Sequence, residues 1–98
     1  MAQVIYIGGE ATAAGFRLAG VDTRVAAAGD AAETLRQAFS EHPDCVLFDG
    51  TLVDYVPAAE LEHALVALSP LFAVIADVRG RGAPPNLARM VRNALGID

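Results

Sequence analysis

Apolar and polar positions fall into blocks along the chain, and the period changes from block to block. Val4-Ile5-Tyr6-Ile7 is a short run of β-formers stopped by Gly8-Gly9, the pattern of a buried strand ending in a tight turn. From Glu10 to Ala19, positions Ala11, Ala14, Gly15, Leu18 and Ala19 keep the i, i+3, i+4, i+7, i+8 spacing of a helix whose core-facing side is mostly small, and Gly20 ends it. Val21-Asp22-Thr23-Arg24-Val25 then alternates as a half-exposed strand should. Asp30 with Glu33 reads as a capping box opening a helix with apolar positions Ala31, Leu35, Ala38 and Phe39, closed near Pro43. Cys45-Val46-Leu47-Phe48 before Asp49-Gly50 suits a central parallel strand buried on both faces. Pro57 suits the first turn of a third helix carrying Ala58, Leu61, Leu65 and Leu68 at the 3.6 period, with Pro70 at its exit.

Leu71 to Ala76 reads as a fourth strand, and the run from Val78 to Pro85 is too rich in Arg, Gly and Pro for any regular element. The predicted organisation is one domain: an α/β body over 1–78, a mobile Arg/Gly/Pro loop over 79–85, and a C-terminal helix over 86–98. That helix carries Leu87, Met90, Val91, Ala94 and Leu95 on one stripe, with Arg89, Arg92 and Asn93 on another face. The order βαβαβαβα with short connections predicts a three-layer αβα fold: a four-stranded parallel sheet with helices on both faces, of receiver-like (flavodoxin-like) topology.

Composition narrows the chemistry. With 98 residues, 54% of them apolar, the chain can bury a modest core as a single domain. The lone Cys45 permits no internal disulfide, which fits a reducing compartment. Neither an apolar run of about twenty residues nor a basic-then-apolar leader is present, so the expectation is a cytoplasmic, soluble chain without direct membrane insertion. All seven bases are arginine. The absence of lysine excludes Schiff-base catalysis, pyridoxal phosphate attachment and a GxxxxGK[ST] phosphate loop.

Charge is uneven. Residues 1–78 hold 3 arginines against 11 acids, a net −8, and residues 79–98 hold 4 arginines against one acid, a net +3. An acidic body disfavours nucleic-acid backbones, so no nucleic-acid partner is expected. The basic tail either meets an acidic protein surface, through Arg89 and Arg92, or is a solvated face balancing helix dipoles.

Sites in an open parallel sheet collect beyond the carboxyl ends of its strands, which directs attention to Gly8, Gly9, Glu10, Asp49, Gly50 and Asp77. A phosphoacceptor domain would place an acid pair after the first strand, the accepting aspartate after the third, and a lysine after a fifth. Glu10 and Asp49 alone answer that pattern, and the structural alternative for Asp49 is a turn former and cap. GxGxxG and GxSxG are both absent. His42 and His63 have no second histidine or cysteine at ligand spacing and read as surface residues, and Cys45 reads as an inert small hydrophobe. No cofactor and no metal are expected.

The opening stretch Ile5-Tyr6-Ile7-Gly8-Gly9-Glu10, followed by Gly15-Phe16-Arg17-Leu18-Ala19-Gly20, resembles the F subunits of the rotary V-type (archaeal A-type) ATPases. In that family a first strand ending in Ile-Gly precedes a helix bearing Gly-Phe-Arg-Leu-Ala-Gly. The chain also closes as that family does, with Ala94-Leu95-Gly96-Ile97, and the likeness spans nearly its whole length. The resemblance implies a noncatalytic central-stalk (rotor) component with a receiver-like fold and no receiver chemistry. It would pack on the long coiled-coil D subunit of the central stalk, inside the catalytic head built by the A and B subunits. There it would couple ATP synthesis or hydrolysis to proton or sodium transport through membrane-sector subunits that it meets only indirectly. In some members the C-terminal part changes position; the Arg-Gly-Pro loop and the short end after Gly96-Ile97 depart from the family pattern.

Particular residues then become interface candidates. Phe16 falls roughly 130° around the helical wheel from the centre of the small face, so with Arg17 it is either half of a partner surface or core folded over the sheet edge. Leu52, Tyr55 and Val56 lie in a segment unusually apolar for a loop. Either a partner helix covers them or the loop packs on its own third helix. The rival reading is a degenerate receiver-type signalling domain using Glu10 and Asp49.

Overall fold

The computed structural model of the chain describes residues 2–82. The expected helix 86–98, with Arg89 and Arg92, and the loop positions 83–85 lie outside the described residues. Four strands, β1 (Val4–Gly8), β2 (Asp22–Val25), β3 (Cys45–Asp49) and β4 (Leu71–Ile75), form one all-parallel sheet in the order β2-β1-β3-β4. Among the described residues three helices alternate with them: α1 (Glu10–Leu18), α2 (Ala31–Ser40) and α3 (Ala58–Val66). The three-layer αβα class of flavodoxin-like topology is the observed one.

Strand order and handedness together fix which helix lies where. The step from β1 to β2 runs one way across the sheet, and the steps from β2 to β3 and from β3 to β4 run the other way. Right-handed crossovers therefore put α1 on one face and α2 with α3 on the opposite face. On the α2/α3 face Ile5, Ile7, Val46, Phe48 and Phe72 join Ala31, Leu35, Ala38 and Ala64 in a buried cluster, with Phe39 edge-on to Phe72 at 5.9 Å. On the other face Tyr6 stacks on Phe16 of α1 at 4.7 Å.

Helix α2 buries Ala31, Leu35 and Ala38 and packs Phe39 on the core, as its period predicts. Its capping box is not formed: the Asp30 side chain makes no cap hydrogen bond, because Asp30 itself ends a 3₁₀ turn, Ala28–Asp30, that leads into the helix. Helix α1 corrects the expectation. It buries Thr12 and Ala13 and lays Phe16 on Tyr6, whereas Ala11, Gly15, Leu18 and Ala19 face solvent. An aromatic ring removes far more apolar area from water than a stripe of Ala and Gly, and that difference sets the rotation of the helix. In α3, too, Ala64 is buried and Leu61 half-buried, while Ala58 and Leu65 are exposed and Leu68, past the helix end, is 99% exposed.

Strand β3 is fully buried on only one face: Val46 and Phe48 are inaccessible, but Cys45 and Leu47 are half-buried. Gly20 follows α1 with φ +89°, a left-handed position that glycine fills without strain, and its N–H donates to Arg17 O. No helix among the described residues is long and apolar enough to cross a membrane.

Candidate functional site

At the carboxyl end of the sheet, β1 and β3 deliver Gly9 and Asp49 side by side. Asp49 is buried and caps the 3₁₀ segment Gly50–Tyr55: its Oδ1 accepts from Thr51 N and Thr51 Oγ1, both at 2.8 Å, and its Oδ2 accepts from Gly9 N at 3.3 Å. The carboxylate thus takes up the Gly9 amide of the β1–α1 turn. Glu10 is not brought into this arrangement. It is exposed, pairs with Arg17 at 3.0 Å across two helix turns, and is held below the usual carboxylate range by the hydrogen bond from that guanidinium.

After β4, residues 77–82, the described part of the expected loop, contain no regular element and form a hydrogen-bonded turn. Asp77 Oδ1 accepts from Arg79 N at 2.9 Å and Arg81 N at 2.8 Å, Oδ2 accepts from Arg81 Nε at 2.7 Å, and Asp77 N donates to Arg81 O. Burial pushes Asp77 up, and the hydrogen bonds from Arg81 and Arg79 outweigh it and hold the carboxyl low. Val78 N donates to Thr12 Oγ1 at 2.9 Å, which ties the turn to α1. Gly82 lies so close to Gly50 and Thr51 that neither glycine has room for a Cβ. Around these groups is a cavity of about 130 Å³, lined by residues that include Gly9, Thr12, Asp49, Thr51, Asp77 and Arg81.

Beneath it, the Tyr6 hydroxyl is tucked under Gly8, buried and without a hydrogen-bond partner among the described residues. Burial, reinforced by the negative charge of Asp49, pushes the phenol up to about 12. Among the described residues no three His, Cys, Asp or Glu side chains are placed to hold a metal ion. Thr12, Thr51 and Arg81 belong to this end of the sheet and were not legible in the sequence, because each acts through contacts to residues distant in the chain or through a turn without periodicity.

The interface candidates separate. Leu52 and Val56 are turned into the core, and their 3₁₀ segment packs on α2, the preceding 3₁₀ turn and β3, so they form no outward surface. For Leu52 and Val56 the packing is intramolecular, in the buried cluster that also holds Leu35 of α2 and Ala64 of α3. Tyr55 alone of the three stands out, 57% exposed. Phe16 is half-buried on Tyr6 and is part of the packing, while Arg17 is exposed beside Glu10 and donates to Thr23 Oγ1. What sequence reasoning missed is the outward face of α1, where Leu18 is 92% exposed inside the Gly15–Gly20 motif.

A second concavity, about 490 Å³, lies between α2 and α3 on an apolar floor of Leu35, Phe39 and Ala64. Arg36 spans it, donating to both carboxylate oxygens of Glu60 at 2.7 and 3.0 Å. No family model and no curated protein matches the chain.

Proposed function

We propose that the chain is a noncatalytic central-stalk component of a V/A-type rotary ATPase or ATP synthase, held by protein contacts and using no cofactor. It binds the coiled-coil D subunit within the catalytic head of A and B subunits, and so couples ATP synthesis or hydrolysis to proton or sodium transport. It sits on the cytoplasmic side, associated with the membrane only through the complex. The observation that carries this reading is the orientation of α1. The helix bearing Gly-Phe-Arg-Leu-Ala-Gly uses Phe16 to fix itself on Tyr6 and turns Ala11, Gly15 and Leu18 outward. A face of Ala and Gly lets a partner helix approach closely, and Leu18 supplies a single apolar anchor.

The test is affinity purification of the tagged chain from membranes of its own organism, with the Leu18→Glu variant alongside. The expected result is recovery of catalytic, coiled-coil and membrane-sector subunits in fixed ratio, lost in the variant while its thermal unfolding is unchanged. Recovery of none of them would overturn the stalk reading, and full recovery by the variant would remove α1 from the interface. Acetyl-phosphate labelling abolished by Asp49→Asn would establish the receiver-type alternative.

A further inference from the structure

Helices α2 and α3 share one face of the sheet without closing on one another. The concavity of about 490 Å³ between them has alanine on its walls, Ala32 on α2 and Ala59 and Ala64 on α3. Each of these side chains ends at Cβ, so the space that larger residues would fill in a close-packed layer stays open. Leu35 and Phe39 floor it; Leu35 is buried, and Phe39 lies edge-on to Phe72. Ala59 and His63, on the rim, are exposed, so the groove opens to solvent. Its volume falls in the range of small-molecule sites, about 300–1,000 Å³, and so does its make-up, an apolar lining with a few charged groups at the rim.

The charges select the ligand. Arg36 donates to both carboxylate oxygens of Glu60 across the groove and, at 3.3 Å, to Glu33 Oε2 on its own helix. Two carboxylates thus share one guanidinium. The hydrogen bond from Arg36 holds Glu60 below the usual carboxylate range, so the excess negative charge is present at neutral pH. A cationic ligand enters without stranding any group, because Glu60 can turn to it while Arg36 keeps Glu33. An anionic ligand would instead take Arg36 from Glu60 and bring a third carboxylate to the same guanidinium.

We propose that the α2/α3 groove binds a small primary amine with an apolar body, its ammonium taken by Glu60 at the rim and its body laid on Leu35, Phe39 and Ala64. The groove lies on the opposite face of the sheet from α1, so the inference stands apart from the stalk reading.

The test is titration of the full chain with phenethylamine, followed by calorimetry and by the methyl NMR signals of Ala32, Ala59 and Ala64. Saturable one-site binding that shifts those methyls is expected, at least about fivefold tighter than for hydrocinnamate, which has a like body and the opposite charge. Glu60→Gln can still accept from Arg36 and should lose about fivefold in affinity. Glu62→Gln, on the same helix but outside the groove lining, should lose none. Ala59→Phe, which fills the groove from its exposed wall, should abolish binding while thermal unfolding is unchanged. Absence of saturable binding, equal or tighter binding of hydrocinnamate, unchanged affinity in Glu60→Gln, or undiminished binding by folded Ala59→Phe would each overturn the proposal.

Discussion

The two faces of the sheet are built on different principles. Against α2 and α3 the strands present Ile5, Ile7, Val46, Phe48 and Phe72, and the helices answer with Ala31, Leu35, Ala38 and Ala64 in one buried cluster. Against α1 the central contact is one aromatic stack, Tyr6 on Phe16, and the rest of that face is half-buried or holds polar groups that satisfy one another at its carboxyl end. Among the described residues the first face holds the buried apolar cluster. An all-parallel sheet is ordinarily covered on both faces, and among the described residues the α1 face is the less completely enclosed of the two.

The sharpest way to break the comparison is to truncate one residue on each side. Phe48→Ala should cost about 3–5 kcal/mol, because it empties the volume of a fully buried ring, whereas Leu18→Ala on the outer side of α1 should stay within about 0.5 kcal/mol. Urea unfolding midpoints measure both, and comparable losses would mean that α1 is buried after all.

Next in size is the contact that closes the carboxyl end. Gly50→Ala places a methyl group where the Gly82 carbonyl already lies and should destabilise by about 1–3 kcal/mol. A wild-type melting temperature would show that the 77–82 turn is not seated on Gly50.

Gly15 offers a smaller effect of opposite sign. A Cβ there meets nothing within 4 Å, so Gly15→Ala should stabilise by about 0.5–1 kcal/mol through helix propensity alone. A loss of stability would place the small stripe against the sheet.

Smallest at neutral pH is Tyr6→Phe, expected within about 1 kcal/mol of wild type, since the hydroxyl it removes has no partner among the described residues. Its signature is alkaline. The folded phenol titrates near 12 against an ordinary 10.0, so the unfolded chain loses that proton first as pH rises. Stability from this group is therefore whole below pH 10 and falls between pH 10 and about 12. The variant should lack that part of the decline in a pH series of denaturation curves, and an unaltered decline would show that Tyr6 is not the group responsible.

How far the sequence could be read depended on how strong each local signal was. Helix α2 shows a broad apolar face against charged neighbours, Glu33 and Arg36 among them, and its buried side follows from the period alone. Helix α1 has two possible faces, one of small residues and one centred on Phe16, and no count of apolar positions separates them. The segment Gly50–Val56 posed the same problem: Leu52, Tyr55 and Val56 each carry an apolar surface and no period separates them, but the 3₁₀ path sends two inward and one out. Asp49 was legible as a cap, but the Gly9 amide that shares it lies forty positions away in the chain.

The sequence by itself determined the element order, the parallel α/β class and the exclusion of lysine chemistry, because these follow from periodicity, turn residues and composition, which are local properties. Only the tertiary structure decided the rotation of α1, the inward turn of Leu52 and Val56, the closure of the 77–82 turn by Asp77, and, among the described residues, the unequal cover on the two faces of the sheet. Each of those is a choice between faces with similar local preferences. It is settled by which arrangement buries the larger ring and pairs the buried polar groups, a comparison that exists only once distant segments are brought together.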